Sequence, residues 1–442
     1  MKRSYRLVTL FFLLLLNLAF LAKPSFAQNQ EERPLAVVLT AEGAVTPIMA
    51  DYISRGLDIA LEQGAEVVIL ALDTPGGSID VMNNIVKMIR GSAVPVIVYV
   101  SPRNAMAASA GTIITLAGHM ATMAPETTIG AASPVGSQGE DIGETMENKV
   151  KEMLKAEVRS LTRNRGQDAT RLAEETIETA RAVTSEEALE AGLIDLVATD
   201  LEDLLAQLDG RQVSLNGREV TLRTLNAQLY PVQSTFIEQA LQLLVNPNLV
   251  FLLLSIGVQA ILIELSSPGG WVAGFIGAVC LMLAVYGLGI LPVNWFGILF
   301  ILVAFVLFIL EIKTPAFGAL TIAGAASFIA GALILFNSAR MPGFPPISTP
   351  LVVATGLTLA ASFFAVITFA IRARHVPIRT GRESLPGQTG TARSEINPRG
   401  TALVGGELWI AEADPEDVPI EEGSRIVVTG VEGLRLRVRK LK

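Results

Sequence analysis

The 442-residue chain contains one cysteine and two histidines, and both scarcities narrow its chemistry. A single thiol cannot close an intramolecular disulfide, so no cystine framework supports the fold. Cys280 lies inside a long apolar run and carries no catalytic reading. Histidine is the usual base for a nucleophilic serine. The pattern puts His119 ten residues beyond Ser109 on one predicted helix, roughly 15 Å away at 1.5 Å per residue. His375 follows an apolar run, in a basic cluster. A Ser-His-Asp triad is thereby disfavoured. Aromatic residues make up only 6% of the chain and the formal net charge is −8, so the basic, aromatic-studded surface of a nucleic-acid binder is missing.

What is present is a serine among small residues, in Asn104-Ala-Met-Ala-Ala-Ser-Ala-Gly-Thr112. It follows Pro95-Val-Ile-Val-Tyr-Val100, a continuous apolar run of the kind that fills a buried parallel strand. Ala110, Gly111 and Thr112 open a helix predicted to run towards Ala121. Small neighbours let a substrate backbone approach Ser109, and a helix N-terminus offers unpaired amides to a developing oxyanion. Upstream, the strand Val67–Leu72 ends in Asp73-Thr-Pro-Gly-Gly-Ser78. Glycines at the carboxyl end of a strand leave N–H groups free where open α/β sheets bind ligands. The amides of Gly77 and Ala110 are the expected oxyanion pair.

With histidine set aside, lysine is the remaining base, provided that its pKa is lowered. Lys87 reads as a solvated residue on the helix after the Gly-Gly turn. Lys149, Lys151 and Lys155 cluster on the helix Asn148–Leu161, whose apolar face is Val150, Met153, Leu154, Val158 and Leu161. Lys155 falls on the outer side. Helical geometry leaves Lys149 and Lys151 both open, and Lys151 is nearer the apolar face.

Asp73-Thr-Pro-Gly-Gly77, Ala108-Ser-Ala-Gly111 and Thr184-Ser-Glu-Glu-Ala-Leu-Glu-Ala-Gly-Leu-Ile-Asp195 resemble the motifs of the ClpP/crotonase superfold. Within it the chain is most similar to the membrane-bound serine proteases of the NfeD family in its long form, and more distantly to signal peptide peptidase A. The resemblance spans nearly the whole chain. It implies an α/β ClpP/crotonase-like domain, peptide hydrolysis by a serine–lysine dyad, and a stomatin-like (SPFH) membrane protein as partner. It also selects Lys149, because the family's catalytic lysine opens this helix after a polar stretch, here 137–146. No cofactor or metal is expected, and a homo-oligomer is.

The organisation along the chain agrees. Residues 1–27 read as a secretory signal, with Lys2, Arg3 and Arg6 before an apolar run and Ser25-Phe-Ala27 at the cleavage position. The protease-like domain is expected over 34–230, with Tyr230 placed past its last element. Residues 247–372 hold five apolar stretches: Leu249–Leu265, Val272–Ile290, Trp295–Leu310, Ala319–Phe336 and Leu351–Ile371. Each is near the length that spans a bilayer. Glu264 and Glu311 each end one such stretch and read as interfacial turn caps. Arg372, Arg374, Arg379 and Arg382 follow the last stretch, which places the C-terminus in the cytoplasm and the α/β domain outside, in the inner (cell) membrane. Residues 385–442 carry short strands punctuated by glycine, as in a five-stranded OB-fold-like barrel.

Two activities of different class fit this layout. One is a serine endopeptidase that cleaves an apolar segment of a membrane partner. The other is a non-catalytic membrane scaffold or assembly factor for stomatin-like proteins. A crotonase-like acyl-CoA enzyme fits less well, because an exported domain has no ready access to CoA.

Overall fold

The computed structural model describes residues 33–136, 143–266, 270–314, 318–337, 344–374 and 384–441. The signal segment, residues 137–142 of the polar stretch, His375 and the arginines at 379 and 382 lie outside these described residues.

The N-terminal part is an α/β domain. Its order is β1 (Leu35–Glu42), α1 (Pro47–Glu62), β2 (Val67–Asp73), α2 (Ile79–Gly91), β3 (Val96–Val100), β4 (Met106–Ala108), α3 (Ala110–Ala117), β5 (Met120–Met123) and β6 (Thr128–Gly130). Then come α4 (Glu144–Leu161), α5 (Gln167–Glu178), β7 (Ala182–Thr184), α6 (Ser185–Glu190), β8 (Leu196–Val197) and α7 (Leu201–Leu208). A hairpin β9 (Gln212–Leu215) and β10 (Arg218–Thr221), the strand β11 (Gln228–Pro231) and α8 (Phe236–Gln242) complete it.

Six strands form one parallel sheet in the order β11-β1-β2-β3-β5-β8. All five residues of β3 are buried, as expected for a strand covered on both faces. Alternate residues divide between two cores: Val68, Leu70, Val96 and Val98 on one face, and Ile69, Ile97 and Tyr99 on the other. A second sheet, β4-β6-β7, is tied to the first by a bridge between Thr74 and Ala107.

Two expectations change here. The helix after Ser109 stops at Ala117, because Gly118 leaves the helical conformation and β5 begins at Met120. His119 therefore sits in a turn, where its Nδ1 accepts the Val96 N–H at 3.0 Å, at the start of β3. Ser109 lies beyond the other end of that strand, so His119 is remote from it, although not along a helix. The second change is at the domain's end. β11 pairs with β1, Val232 is buried, and the Tyr52 hydroxyl donates to the Val232 carbonyl at 2.7 Å. The Arg55–Glu238 ion pair at 2.7 Å then holds α8. Tyr230 thus lies inside an edge strand.

The Thr184–Asp195 motif has a structural role. Thr184 and Glu187 form a capping box on α6. Asp195 Oδ2 accepts the Ala121 N–H at 2.7 Å and pairs with Arg165 at 2.8 Å, which fixes the start of β5.

Five apolar helices follow among the described residues: α9 (Pro247–Ser266), α10 (Val272–Ile290), α11 (Phe296–Lys313), α12 (Ala319–Asn337) and α13 (Thr349–Arg374). Three have apolar windows long enough to cross a bilayer, Pro247–Glu264, Val272–Ile290 and Ala319–Phe336. The described apolar parts of the other two are Phe296–Glu311 and Thr349–Ala365. Small residues let helices touch through their backbones: a Cβ on Gly331 would lie 2.8 Å from the Gly297 carbonyl oxygen. The two glutamates act as the caps they resembled. Glu264 accepts from Trp271 and Gly274 N–H, and Glu311 from Gly318, Leu320 and Thr321 N–H.

The C-terminal part belongs to a second compact unit. Strands β12 (Thr389–Ala392), β13 (Arg399–Val404), β14 (Glu407–Ala413), β15 (Arg425–Glu432) and β16 (Arg435–Lys440) close into a barrel in the order β12-β13-β14-β16-β15. Only the β14–β16 pair is parallel. This is the OB-like arrangement. Its interior holds Val404, Ala411, Ile426, Val428, Leu436 and Val438.

Candidate active site

Ser109 occupies the sharp junction between β4 and α3. Its backbone has φ 53° and ψ −119°, a strained conformation for a residue with a Cβ. Surrounding bonds hold it there. The Thr74 N–H donates to the Met106 carbonyl at 2.7 Å and the Ala108 N–H to the Thr74 carbonyl at 2.9 Å. The Ser109 N–H donates to the Gly130 carbonyl at 2.9 Å. Buried Thr112, one turn on, accepts the Gly130 N–H at 3.0 Å through Oγ1, which also lies 2.9 Å from the Ala107 carbonyl oxygen. The strain is therefore over-determined by three strands and a helix. The half-buried Ser109 hydroxyl caps nothing on its own helix and makes no hydrogen bond among the described residues.

The Gly-Gly turn meets this serine directly. Gly76 has φ +115°, and a Cβ there would lie 2.6 Å from Ser109 Cβ and 3.0 Å from its Oγ. Only glycine leaves the hydroxyl uncovered. At Gly77 the chain passes Val45 edge to edge: the Val45 N–H donates to the Gly76 carbonyl and the Ser78 N–H to the Val45 carbonyl. The Gly77 N–H is skipped by this pattern. The Ala110 N–H, first of its helix, also has no acceptor among the described residues. Gly77, Ser109 and Ala110 all line one cleft of about 430 Å³, with Met82, Met106 and Leu154 among its apolar walls.

The lysines separate by their partners. Lys151 pairs with Glu147 at 2.7 Å and donates to the Glu178 carbonyl at 3.3 Å. Lys155 pairs with Glu152 at 2.9 Å and Glu178 at 3.1 Å. These carboxylate hydrogen bonds push both ammonium pKa values up, Glu147 being the main cause for Lys151 and Glu152 for Lys155. Lys149 is exposed, forms no ion pair among the described residues, and is not in the cleft wall. Its helix does reach the cleft, through Leu154. His119 is held neutral by burial, helped by the charge of Arg90, which pushes its pKa down to about 4.

The sequence reading did not find Gly76, Thr112 or Gly130 as the residues that hold the serine. A Gly-Gly pair after a strand signals one of them. The roles of Thr112 and Gly130 depend on bonds between segments about twenty residues apart, which no local pattern reveals.

Three family models match the chain in tandem. The NfeD1b N-terminal domain matches residues 36–216, the NfeD integral membrane domain 248–370, and the NfeD-like C-terminal, partner-binding domain 382–440. The chain is 38% identical over 430 residues to the membrane-bound protease PH1510 of Pyrococcus horikoshii, covering 95% of this chain and 96% of that protein. It is 26% identical over 441 residues to the membrane protein NfeD1b of Bacillus subtilis, covering 93% and 94%. Among solved structures, it is similar to a lysine-to-alanine variant of the 1510-N membrane-bound stomatin-specific protease in complex with a substrate peptide. That similarity has 35% identity and a TM-score of 0.45, over 48% of this chain and 98% of that one.

Proposed function

The chain belongs to the NfeD family in its long form, and from that premise we propose an integral-membrane serine endopeptidase with Ser109 as nucleophile and Lys149 as general base. One observation carries the proposal: a strained serine whose free hydroxyl faces a cleft that two unpaired amides also line.

In this reading Lys149 takes the Ser109 hydroxyl proton as Oγ bonds to the scissile carbonyl carbon. The carbonyl π pair moves to oxygen, and the Gly77 and Ala110 N–H groups hold the oxyanion. Collapse breaks the C–N bond, and the lysine ammonium returns its proton to the departing amine. Water then cleaves the acyl-enzyme by the same path, again with Lys149 as base. Loss of one oxyanion donor typically raises such a barrier by about 2.7–4 kcal/mol. Lys149 rather than Lys151 takes this role because a base must be able to lose its proton, and Glu147 keeps Lys151 charged. Exposed Lys149 reaches the cleft, and loses water, when the start of α4 closes on a bound peptide.

The proposed substrate is an apolar segment of a stomatin-like membrane protein, and the barrel is the module that docks the partner. The deciding experiment incubates the purified full chain with such a protein and follows cleavage by mass spectrometry. Cleavage by the wild type and none by Ser109→Ala is expected. Binding without cleavage by either would replace the protease with a scaffold.

The orientation is tested without interrupting either fold. Glu62 in the α/β domain and Glu421 in the barrel are both exposed. Each is changed to cysteine in turn on a Cys280→Ala background and treated with a membrane-impermeant maleimide. Labelling of Glu62→Cys alone in intact cells is expected. Equal labelling of both would overturn the outside–inside arrangement.

A further inference from the structure

A second cavity of about 600 Å³ adjoins the serine cleft. Gly77, Ile79 and Val135 line both, so the two form one groove. On one side of the second cavity are residues of the α/β domain, including Pro47, Ser78 and Val81. On the other is the turn between α10 and α11, including Leu291, Pro292 and Trp295. That turn joins two apolar helices, so it sits at a membrane surface. Leu291 and Val293 are buried, while Trp295 is exposed, and Val135 opposite is exposed as well. No residue lining either part of the groove is charged.

We infer that the α10–α11 turn is a substrate-binding wall of the protease, and that the groove takes an extended apolar segment of a membrane-attached polypeptide. The inference rests on the protease reading of Ser109 and adds the membrane helices to the site. Three observations select this occupant. The groove is continuous with the Ser109 cleft, so whatever fills it also passes the nucleophile. Its lining carries no charge that would offset the desolvation of a charged peptide. Its far wall lies where a chain leaving the bilayer would first meet the domain. The membrane block thereby confers specificity as well as anchorage. A short peptide that fills only the serine cleft escapes that selection, whereas a longer one is read by Trp295.

The test uses the full chain in lipid nanodiscs. Trp295 is replaced by a photoreactive phenylalanine analogue in the Ser109→Ala background, so that contact is read without turnover. The probe is an apolar peptide of about twelve residues, roughly 40 Å when extended. A second peptide of the same length carries lysine at alternate positions. Crosslinking to the apolar peptide alone is expected. Equal yields from both peptides, or none from either, would overturn the inference. Kinetics give an independent reading. Trp295→Asp should lower kcat/KM for the apolar peptide about tenfold relative to that for a three-residue p-nitrophenyl ester, mainly through KM. An unchanged ratio counts against the wall. Crosslinking by the photoreactive chain, together with hydrolysis of neither probe by the wild type, would remove the protease reading and leave the groove as a binding site.

Discussion

The sheet of the α/β domain is parallel and buried on both faces, whereas the C-terminal barrel is closed, largely antiparallel and buried on its inner side. In β2 the burial is nearly continuous, while in β16 Leu436 and Val438 point inward between the outward Arg435, Arg437 and Arg439. These arginines pair with Glu412, Glu432 and Asp414 on the exposed surface. Such pairs add little stability but keep the outer face soluble. The open sheet must end its strands in loops, and the one after β2 carries Gly77. Strand β4 of the second sheet, bridged to that loop at Thr74, leads into Ser109 and Ala110, so both unpaired amides lie beside a strained serine. Among the described residues of the closed barrel, no non-glycine residue has a positive φ. Parallel topology creates places where polar atoms go unsatisfied at strand ends, and chemistry needs such places. Closure pairs the strand edges and leaves fewer such places.

Removing chemistry from the sheet without touching the barrel is the most direct way to break that contrast. Under the proposed dyad, Ser109→Ala and Lys149→Ala should each lower peptide cleavage by about 10⁴–10⁶-fold, because its members act as a unit. Circular dichroism should show both folds intact. Wild-type cleavage by Lys149→Ala together with inactive Lys151→Ala would transfer the base to the ion-paired lysine.

Gly76→Ala sharpens the same comparison with one methyl group. Its Cβ would press on Ser109, at a φ of +115° that alanine resists. Displacement of Ser109 by about 1 Å should lower kcat about 10²-fold. The same change at Gly406 (φ +85°), in a barrel turn with open space around it, should leave cleavage unaffected.

Leu436→Ala tests the barrel's dependence on packing. The side chain is fully buried, so its loss should destabilise the barrel by about 2–5 kcal/mol. Hydrogen exchange should quicken in β13–β16 while β1–β3 keep their protection. Loosening of both sheets together would mean that they unfold as one.

The smallest effect concerns pH. In the fold His119 stays neutral down to about 4, while in the unfolded chain it takes a proton near 6.5. The unfolded state therefore binds more protons between these values. The stability contributed by neutral His119 is complete above pH 6.5 and is lost as pH falls towards 4, by at most about 3 kcal/mol. His119→Gln should flatten this part of the curve in a chemical-denaturation series. An unchanged slope would assign the acid sensitivity to other groups.

Much of the site was legible as local pattern. Ser109 and the Gly-Gly turn stand out because apolar strands run into small residues, and the apolar helices announce themselves by length. The end of α3 was not legible. Apolar residues continue through Ala121, so periodicity extends a helix that Gly118 and the pairing of β5 with β3 in fact end. The domain's last strand was missed for a similar reason. Gln228–Pro231 is short, mostly exposed and ends in proline, and only its pairing with β1 makes it a strand. The Thr184–Asp195 motif was visible, but its part in capping α6 and holding β5 depends on Ala121 and Arg165, which are distant in sequence.

By itself the sequence determined the order of the three parts, marked out Ser109 among small residues, and showed how scarce histidine is. Each of these follows from composition or from patterns a few residues long. Tertiary structure alone decided that Gly76 lies against Ser109 and that three strands and a helix hold the serine in a strained backbone. It also brought the turn between two apolar helices alongside the serine cleft. Those facts depend on close approach between segments from about 18 to nearly 200 residues apart, and such approach is a property of packing that no local pattern encodes.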